Sequence, residues 1–326
     1  MTAAEITRLL AAAGMEPDSA RTEARLLIEH FAAVPLSHVL AFPEQDYSSP
    51  ALENAVRRRA ERYPLQYILG EWYFMGLPFS VNESCLIPRP DTETVAEAAI
   101  RHLKERHGAS LLDLCTGSGC IATAVLHYTG DTTAAAVELD PNTAETAREN
   151  LRRLNLEDRC RVMTGDAAAD LFPPNITFDV ITANPPYVAK DEMPFLEPEL
   201  AFEPRIALTD EDDGLSLTRK IIELYPSHLK PDGLMLLEHS PRQTNAVRQI
   251  AESHNLSCTT LFDYHNRPRA AALRQTTPTA ATAARSSKPT SSKSSSASWT
   301  TIFTRTQKPS PSSNRKFWLT KRNAKR

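Results

Sequence analysis

Apolar positions recur at helical spacing in the first part of the chain. In RTEARLLIEHFA they fall at i, i+3, i+4 and i+7, and a second such face begins at Leu52, Ala55 and Val56. This spacing puts apolar side chains on one side of a helix. The residues of the first face are Ala24, Leu27, Ile28 and Phe31. We therefore predict a small helical domain over residues 1–69.

An aromatic stretch follows the helical part. GEWYFMGLPFSV is interrupted by Gly70, Gly76 and Pro78, and two short aromatic runs separated by glycine are typical of a β-hairpin. We predict that residues 70–90 form a linker built on this hairpin.

From Ser110 the pattern changes to short apolar runs with helical segments between most of them. Such alternation predicts an α/β domain with a twisted, mostly parallel sheet and helices on both faces. Ligands of these sheets bind at the carboxyl ends of the strands, near the topological switch point. The predicted strands are SLLDL, TAAAVEL, CRVMT, FDVITA, LMLLEH, SCTTLFDY and RAAALR. We assign residues 91–274 to this domain.

The charge is distributed unevenly along the 326 residues. Residues 274–326 hold 12 of the 37 Lys and Arg residues and none of the 40 Asp and Glu residues, so residues 1–273 carry a formal charge of −15. We predict that residues 275–326, rich in Ser, Thr and Lys, form a disordered tail, because they offer little apolar surface to bury. The tail is either an electrostatic arm or an out-of-frame translation of the end of the gene.

The cysteines and the lengths of the apolar runs indicate the cellular compartment of the protein. The five cysteines are scattered and lack metal-ligand spacing, which indicates reduced thiols and no metal site. No run has the length of a membrane span or a signal-peptide core. We therefore predict a cytoplasmic protein without a membrane partner.

A glycine loop follows the first strand of the α/β domain. In LLDLCTGSGCIATAVL, Gly117 and Gly119 lie between a strand and a helix, where the backbone can approach a ligand and helix N–H groups are free. Glu138 ends the next strand about twenty residues later, the spacing at which an acid accepts from ribose hydroxyls. A plain tight turn is the alternative for the loop. Asp140 before Pro141 is interpreted as a helix N-cap.

Asp166 ends the third strand in TGDAAADL. Its carboxylate is placed to accept from an adenine amino group, and an Asx turn is an equally good interpretation.

The sequence ANPPYV directly follows the apolar strand FDVITA. Prolines cannot continue a strand, so the turn is rigid. The side-chain oxygen of Asn184 and the carbonyl of Pro185 are two fixed acceptors for one NH₂ group, and Tyr187 can stack on a planar substrate. Holding both N–H groups aims the nitrogen lone pair at a methyl donor. The alternative is an ordinary Asn-Pro turn that ends a strand.

Together these motifs resemble the Class I S-adenosylmethionine-dependent methyltransferases over residues 111–273. The resemblance implies S-adenosyl-L-methionine as cofactor. Cys115 stands where the family's loop usually has glycine. The implied cofactor residues are Asp113, Cys115, Thr116, Gly117, Ser118, Gly119, Glu138, Asp166, Ala167 and Asn184. The implied catalytic residues are Asn184, Pro185, Pro186 and Tyr187.

Further motifs narrow the resemblance. LIPRPDTE, LQYILGEWYFMGLPF and FEPRIAL are similar to the HemK/PrmC group, the peptide chain release factor glutamine methyltransferases. The group implies a Rossmann-like domain with a seven-stranded, mostly parallel sheet behind a helical substrate-recognition domain. It implies release factors as partners, methylated at the glutamine of a Gly-Gly-Gln loop. The implied substrate pocket is formed by Arg89, Pro90, Asn184 and Tyr187.

Three alternatives stay open at this point. One is a glutamine methyltransferase of a ribosomal protein, and another is a nucleic-acid amino methyltransferase. The acidic body argues against the latter, and only the basic tail offers nucleic acid a contact. The third is a non-catalytic, ribosome-associated binding protein.

Two acidic residues are given structural roles. Asp91, or else Thr92, is expected to cap the helix that carries Val95 and Leu103, and Glu238 in EHSPRQ is interpreted as part of the scaffold.

Overall fold

The computed structural model describes residues 1–276. The predicted tail, residues 275–326, lies outside the described residues except for Gln275 and Thr276. Five helices form the N-terminal part: α1 Ala3–Ala12, α2 Pro17–Ala32, α3 Leu36–Ala41, α4 Pro50–Ala60 and α5 Leu65–Leu69.

The predicted apolar faces form the core of this helical part. Ala24, Leu27 and Ile28 of α2 are buried against Leu52 of α4, and Phe31 packs at the edge of the same cluster. Burial of these aliphatic side chains stabilises the bundle, because each removes apolar surface from water.

A two-stranded hairpin follows the helices. Strands β1 (Glu71–Phe74) and β2 (Leu77–Ser80) pair antiparallel, with Phe74 opposite Leu77. The two turn residues, Met75 and Gly76, both have positive φ, at 50° and 76°. This is the backbone of a type I′ turn, whose twist matches the flanking strands. The predicted hairpin is confirmed.

The remaining elements form the α/β domain. Its helices are α6 Glu93–Leu103, α7 Cys120–Tyr128, α8 Pro141–Arg153, α9 Arg205–Leu208, α10 Ser216–Leu224 and α11 Thr244–Ser253. Its strands are β3 Ser110–Leu114, β4 Thr133–Glu138, β5 Cys160–Thr164, β6 Phe178–Ala183, β7 Leu229–Glu238, β8 Leu256–Phe262 and β9 Pro268–Gln275. Short 3₁₀ turns occur at Pro90–Thr92, Glu157–Arg159, Met193–Phe195, Pro198–Phe202, Pro226–His228 and Pro241–Gln243.

The seven strands form one sheet in the order β5-β4-β3-β6-β7-β9-β8. All neighbouring pairs are parallel except those that β9 makes with β7 and β8. The predicted fold class, a mostly parallel seven-stranded sheet with an N-terminal helical part, is confirmed. Strand order reverses between β3 and β6, so a crevice is expected beyond the carboxyl ends of these two strands.

An ion-pair cluster joins the helical part to a loop of the α/β domain. Arg59 of α4 is almost completely buried and binds both Glu23 and Glu199, and Arg62 binds Glu199 at 2.8 Å. Tyr63 packs its ring edge-on against Phe202, with 5.2 Å between the centroids. Because Glu199 and Phe202 lie in the turn Pro198–Phe202, the helical part holds this turn in place.

Candidate active site

The glycine loop between β3 and α7 adopts a left-handed backbone at three positions. The φ angles of Cys115, Gly117 and Gly119 are 55°, 57° and 79°. A Cβ at Gly119 would also lie 3.1 Å from the Cβ of Ala147, which is tight. Glycine adopts such angles without steric cost, whereas Cys115 adopts one at a cost of about 1 kcal/mol. This backbone explains why a glycine suits position 115.

Asp113 supports this loop from below. It is completely buried, and its carboxylate accepts from the hydroxyls of Thr116 at 2.5 Å and Thr182 at 2.7 Å. Burial raises the pKa of Asp113 to about 6, although both hydroxyls oppose the shift. Asp113 therefore ties the loop to strand β6.

Glu138 at the end of β4 faces the loop. Its Oε2 accepts from the Gly117 N–H at 2.9 Å, and its Oε1 accepts from the Asp140 N–H at 3.1 Å. Burial raises its pKa, and these backbone N–H groups oppose the shift. Asp140 itself caps α8 by accepting from the Thr143 N–H at 2.7 Å, as predicted. The two neighbouring acids thus have different surroundings.

Asp166 forms the Asx turn that was one of its two interpretations. Its Oδ1 accepts from the Ala168 N–H at 2.8 Å. Asp166 also lines the crevice described next, together with the buried Ala167, so the turn does not exclude contact with a ligand.

A cavity opens beyond the carboxyl ends of β3, β4 and β6. Gly117 faces open space, because a Cβ built on it meets no atom within 4 Å. Two predicted cofactor residues do not line the cavity: Asp113 lies beneath the loop, and Gly119 is the last residue of the loop, packed against Ala147. The predicted residues that do line it are Cys115, Thr116, Gly117, Ser118, Glu138, Asp166, Ala167 and Asn184. We call this space the cofactor cleft.

A second, smaller cavity adjoins the cofactor cleft and shares Asn184 with it. It has a volume of about 80 Å³ and is lined by Asn184, Arg89, Tyr187 and Glu238. Apolar side chains complete its wall: Leu86, Val188, Leu200, Ala207 and Leu208. We call this space the inner cavity. Four residues line both spaces, namely Asn184, Arg89, Leu86 and Ala207, so Asn184 stands at their junction.

The other residues of the proline turn are placed differently. Pro186 lines the cofactor cleft, whereas Pro185 is buried and lines neither space. Pro90 begins the turn Pro90–Thr92 and also lines neither.

Asn184 has a defined partner for its side-chain NH₂ group. Its Nδ2 donates to the Thr92 hydroxyl oxygen at 3.3 Å, and Thr92 is buried. No donor among the described residues reaches Asn184 Oδ1. The side-chain oxygen is therefore available to accept from a ligand.

The backbone of Tyr187 is held from behind. Gln243 donates to the Tyr187 carbonyl at 2.9 Å and to the Gly214 carbonyl at 3.2 Å. Gly214 has φ 73°, and a Cβ there would stand 2.2 Å from the Tyr187 carbonyl oxygen. Only glycine fits this position without moving the proline turn.

The tyrosine side chain reaches a buried acid. Its hydroxyl donates to Glu238 Oε1 at 3.2 Å, and burial, followed by the charge of Glu238, raises the pKa of the phenol. The phenol therefore stays protonated at neutral pH.

The segment LIPRPDTE is anchored by a buried carboxylate. Glu203 binds the Arg89 guanidinium and accepts from the Ile87 N–H at 3.1 Å. Burial raises the pKa of Glu203, and the neighbouring Arg89 opposes the shift. This pair joins LIPRPDTE to FEPRIAL, two motifs far apart in the chain, at the wall of the inner cavity.

The expected capping role of Asp91 is wrong. Thr92 is the residue before α6, and neither side chain caps the helix. Asp91 instead binds Arg267 at 3.0 Å and Arg269 at 2.9 Å. Two guanidinium groups at hydrogen-bond distance hold a carboxylate more strongly than one backbone N–H does.

Sequence reasoning missed three residues of this region. The sequence pattern indicates only a capping role for Thr92 and a scaffold role for Glu238, and it does not distinguish Gln243 from other polar residues. One signal was present for Glu238: a carboxylate directly follows the apolar run LMLL at the end of a buried strand. Thr92 and Gln243 act through partners distant in sequence, which periodicity does not show.

The described residues also bear on metals and membranes. Within residues 1–276, no three His, Cys, Asp or Glu side chains are grouped so that they could hold a metal ion. No described helix combines the length and apolar character needed to cross a bilayer.

Two family models match this chain. The PrmC N-terminal domain matches residues 3–70, and the Methyltransferase small domain matches residues 91–198.

Curated relatives span most of the chain. A release factor glutamine methyltransferase from Moorella thermoacetica is 36% identical over 252 residues, covering 76% of this chain and 88% of the relative. One from Bordetella pertussis is 37% identical over 245 residues, covering 74% and 89%. Among solved structures, the catalytic domain of hMettl16, determined with an RNA hairpin, is 15% identical with a TM-score of 0.50. That similarity covers 70% of this chain and 81% of that one, and it concerns the fold alone.

Proposed function

Because the chain belongs to the family of release factor glutamine methyltransferases, we propose that it methylates the side-chain amide of the glutamine in the Gly-Gly-Gln loop of peptide chain release factors. The methyl donor of this proposal is S-adenosyl-L-methionine. One observation of the structure carries the proposal: Asn184 stands between the cofactor cleft and the inner cavity.

The cofactor cleft has the groups that such a donor requires. Gly117 leaves its backbone open to a ligand, and Glu138 offers a carboxylate to ribose hydroxyls. Ser118 adds a buried hydroxyl that has no hydrogen-bond partner among the described residues. When bound, S-adenosyl-L-methionine supplies an electrophilic methyl group. Asp113, from beneath the loop, and Gly119, at its last position, contribute by fixing its shape.

The inner cavity suits a glutamine side chain. Its apolar wall fits the methylene groups, and Asn184 Oδ1 accepts from the amide N–H. A fixed acceptor stabilises the positive charge that develops on the nitrogen during attack. We assign the Pro185 carbonyl as the second acceptor, and this assignment stays a prediction because Pro185 lines neither space. Tyr187 forms a wall beside the planar amide.

The domain assignment is part of the same proposal. Residues 1–69 recognise the protein substrate, and residues 91–274 transfer the methyl group. Residues 70–90 link these two domains. The ion pairs of Arg59 and Arg62 with Glu199 support this assignment, because they connect the helical part to the loop that carries Leu200 of the inner cavity. The five free thiols suit the reducing cytoplasm, where we place the protein.

The proposal is tested by transfer of labelled methyl groups. We expect label from S-adenosyl-L-methionine to enter an intact release factor, and to be absent when its Gly-Gly-Gln glutamine is replaced by alanine. Asn184→Ala should lower kcat by roughly 10²–10³-fold, the usual loss when one fixed dipole aimed at developing charge is removed, and leave the cofactor Kd near that of the wild type. Label in RNA, DNA or a ribosomal protein instead would contradict the proposal.

A further inference from the structure

Strand β7 ends in a buried carboxylate that the proposed function leaves without a role. Glu238 is completely buried and lines the inner cavity beside Asn184. Its Oε1 accepts from the Tyr187 hydroxyl, whereas its Oε2 has no hydrogen-bond partner among the described residues. A buried carboxylate oxygen that has only the nearby Thr92 hydroxyl to interact with is costly, and it can still accept a proton from a ligand in the cavity that Glu238 lines.

Charged groups face Glu238 from two sides. Arg269 of β9 attracts its negative charge, and Asp91 of the turn Pro90–Thr92 repels it. Arg269 is itself shared, because it binds Asp91 at 2.9 Å and lies 3.6 Å from Asp263. Arg267 also binds both Asp91 and Asp263. Two arginines thus balance two aspartates, and Glu238 is the additional acid of the cluster.

The protonation of Glu238 is consequently sensitive to pH near neutrality. Burial raises the pKa of Glu238 to about 7, with the Thr92 hydroxyl, Arg269 and Tyr187 opposing the shift. The carboxylate form therefore becomes abundant as the pH rises through this range.

Methylation of an amide requires a proton acceptor. The nitrogen forms a bond to the methyl carbon while the sulfur–carbon bond breaks and its electron pair goes to sulfur. The nitrogen then carries positive charge, and one N–H bond must break with its electron pair returning to nitrogen. The proton needs an acceptor, and a base that lines the cavity is the one nearest to the nitrogen.

Most polar groups of the inner cavity are poor bases. Arg89 is already cationic, the phenol of Tyr187 is neutral, and the amide oxygen of Asn184 is weakly basic. Among the described residues that line the inner cavity, Glu238 supplies the only carboxylate.

Building on the proposed function, we propose that the Glu238 carboxylate takes the proton that the glutamine nitrogen releases, once one of the two N–H groups has turned from its acceptor towards Glu238 after methyl transfer. The proton returns to solvent after the product leaves. Glu238 is thereby the general base of the reaction, and Arg269 and Asp91 are positioning residues that set its charge.

The test is the pH dependence of kcat, measured with saturating cofactor and a Gly-Gly-Gln peptide. The wild-type kcat should rise with pH and level off, with a midpoint near 7, because only the carboxylate accepts a proton. Glu238→Gln keeps the size of the side chain and an acceptor for Tyr187. It should lower kcat by roughly 100-fold and remove the midpoint. Glu252→Gln, at an exposed position on α11, is the control and should retain the wild-type profile.

A second variant separates a chemical role from a structural one. Asp91→Asn removes a repelling charge, so the midpoint should move to lower pH while the plateau is retained. If Glu238→Gln fails to fold, the wild-type and Asp91→Asn profiles still decide. A wild-type profile that is flat from pH 6 to 9, or Glu238→Gln activity within about threefold of wild type with an unchanged midpoint, would overturn the inference. Absence of methyl transfer by the wild type at every pH would instead overturn the proposed function.

Discussion

Asn184 donates through Nδ2 to the hydroxyl oxygen of Thr92 at 3.3 Å, which joins the end of β6 to the residue before α6. In this arrangement the N–H side of the amide is occupied, and Oδ1 is left as the acceptor. The sequence motif supplies the asparagine, but Thr92 sets which end of its side chain meets the substrate.

Removing the Thr92 hydroxyl tests this orientation. Thr92→Val keeps the shape of the side chain, whereas Thr92→Ser keeps the hydroxyl. A hydrogen bond of this kind contributes about 1 kcal/mol, so Thr92→Val should lower kcat by roughly fivefold, and Thr92→Ser should remain near wild type. Single-turnover methylation assays measure the effect. Equal activity of the two variants would show that Thr92 does not orient Asn184.

Glu138 and Asp140 form a natural comparison because they lie two residues apart with different partners. Hydrogen bonds to charged groups contribute about 1.5–3 kcal/mol, so Glu138→Gln should raise the cofactor Kd by roughly 10–100-fold. Asp140→Ala loses the cap of α8 and should lower the free energy of unfolding by about 1 kcal/mol with little change in Kd. Calorimetry measures the cofactor Kd, and urea unfolding measures the free energy of unfolding. If Asp140→Ala raised Kd while Glu138→Gln only lowered stability, the binding and capping roles would belong to the opposite residues.

The sequence predicted the elements better than the contacts between them. The helical face of Ala24, Leu27 and Ile28 and the hairpin at Gly76 follow from local periodicity and turn chemistry, which a single sequence carries. Asp91 was misjudged because its partners, Arg267 and Arg269, lie far along the chain. Long-range pairing of charges depends on the sheet order, which local patterns do not fix.

The same limit applies to the candidate site. Motifs placed Asn184 and Glu138 at strand ends, and the parallel sheet brings those ends to one edge. The supporting contacts, from Thr92 to Asn184 and from Gln243 to the Tyr187 carbonyl, cross between segments that have no common pattern.

Gly214 offers a sharp test of the rigidity of the proline turn. Gly214→Ala would place a Cβ 2.2 Å from the Tyr187 carbonyl oxygen, and overpacking costs about 1–3 kcal/mol. Gly76→Ala is a matched control, because Gly76 has a similar φ of 76° and open space around its Cβ position. We expect Gly214→Ala to lose more stability than the control and also to lower kcat. Thermal unfolding and methyl-transfer assays check both, and similar losses for the two variants would contradict the close contact.

The ion pairs that Glu199 makes with the helical part should also hold the wall of the inner cavity in place. Glu199→Gln removes the carboxylate that Arg59 and Arg62 share, and the turn carrying Leu200 should become less ordered. We expect roughly a tenfold lower kcat/KM for an intact release factor, since contacts of buried charged groups contribute about 1.5–3 kcal/mol. Glu197→Gln, exposed in the same loop, is the control and should stay within about 0.5 kcal/mol of the wild-type stability. If Glu199→Gln had the wild-type kcat/KM, the ion pairs of Glu199 would have no influence on the inner cavity.

A crystal structure with S-adenosyl-L-homocysteine and a Gly-Gly-Gln peptide would show directly whether Asn184 holds the glutamine amide. We expect the glutamine side chain in the inner cavity, with its amide nitrogen about 2.7–3.2 Å from both Asn184 Oδ1 and the Pro185 carbonyl oxygen. The nitrogen should point towards the sulfur of S-adenosyl-L-homocysteine in the cofactor cleft, at the junction formed by Asn184. A glutamine bound outside the inner cavity, or an amide held without Asn184, would contradict the account.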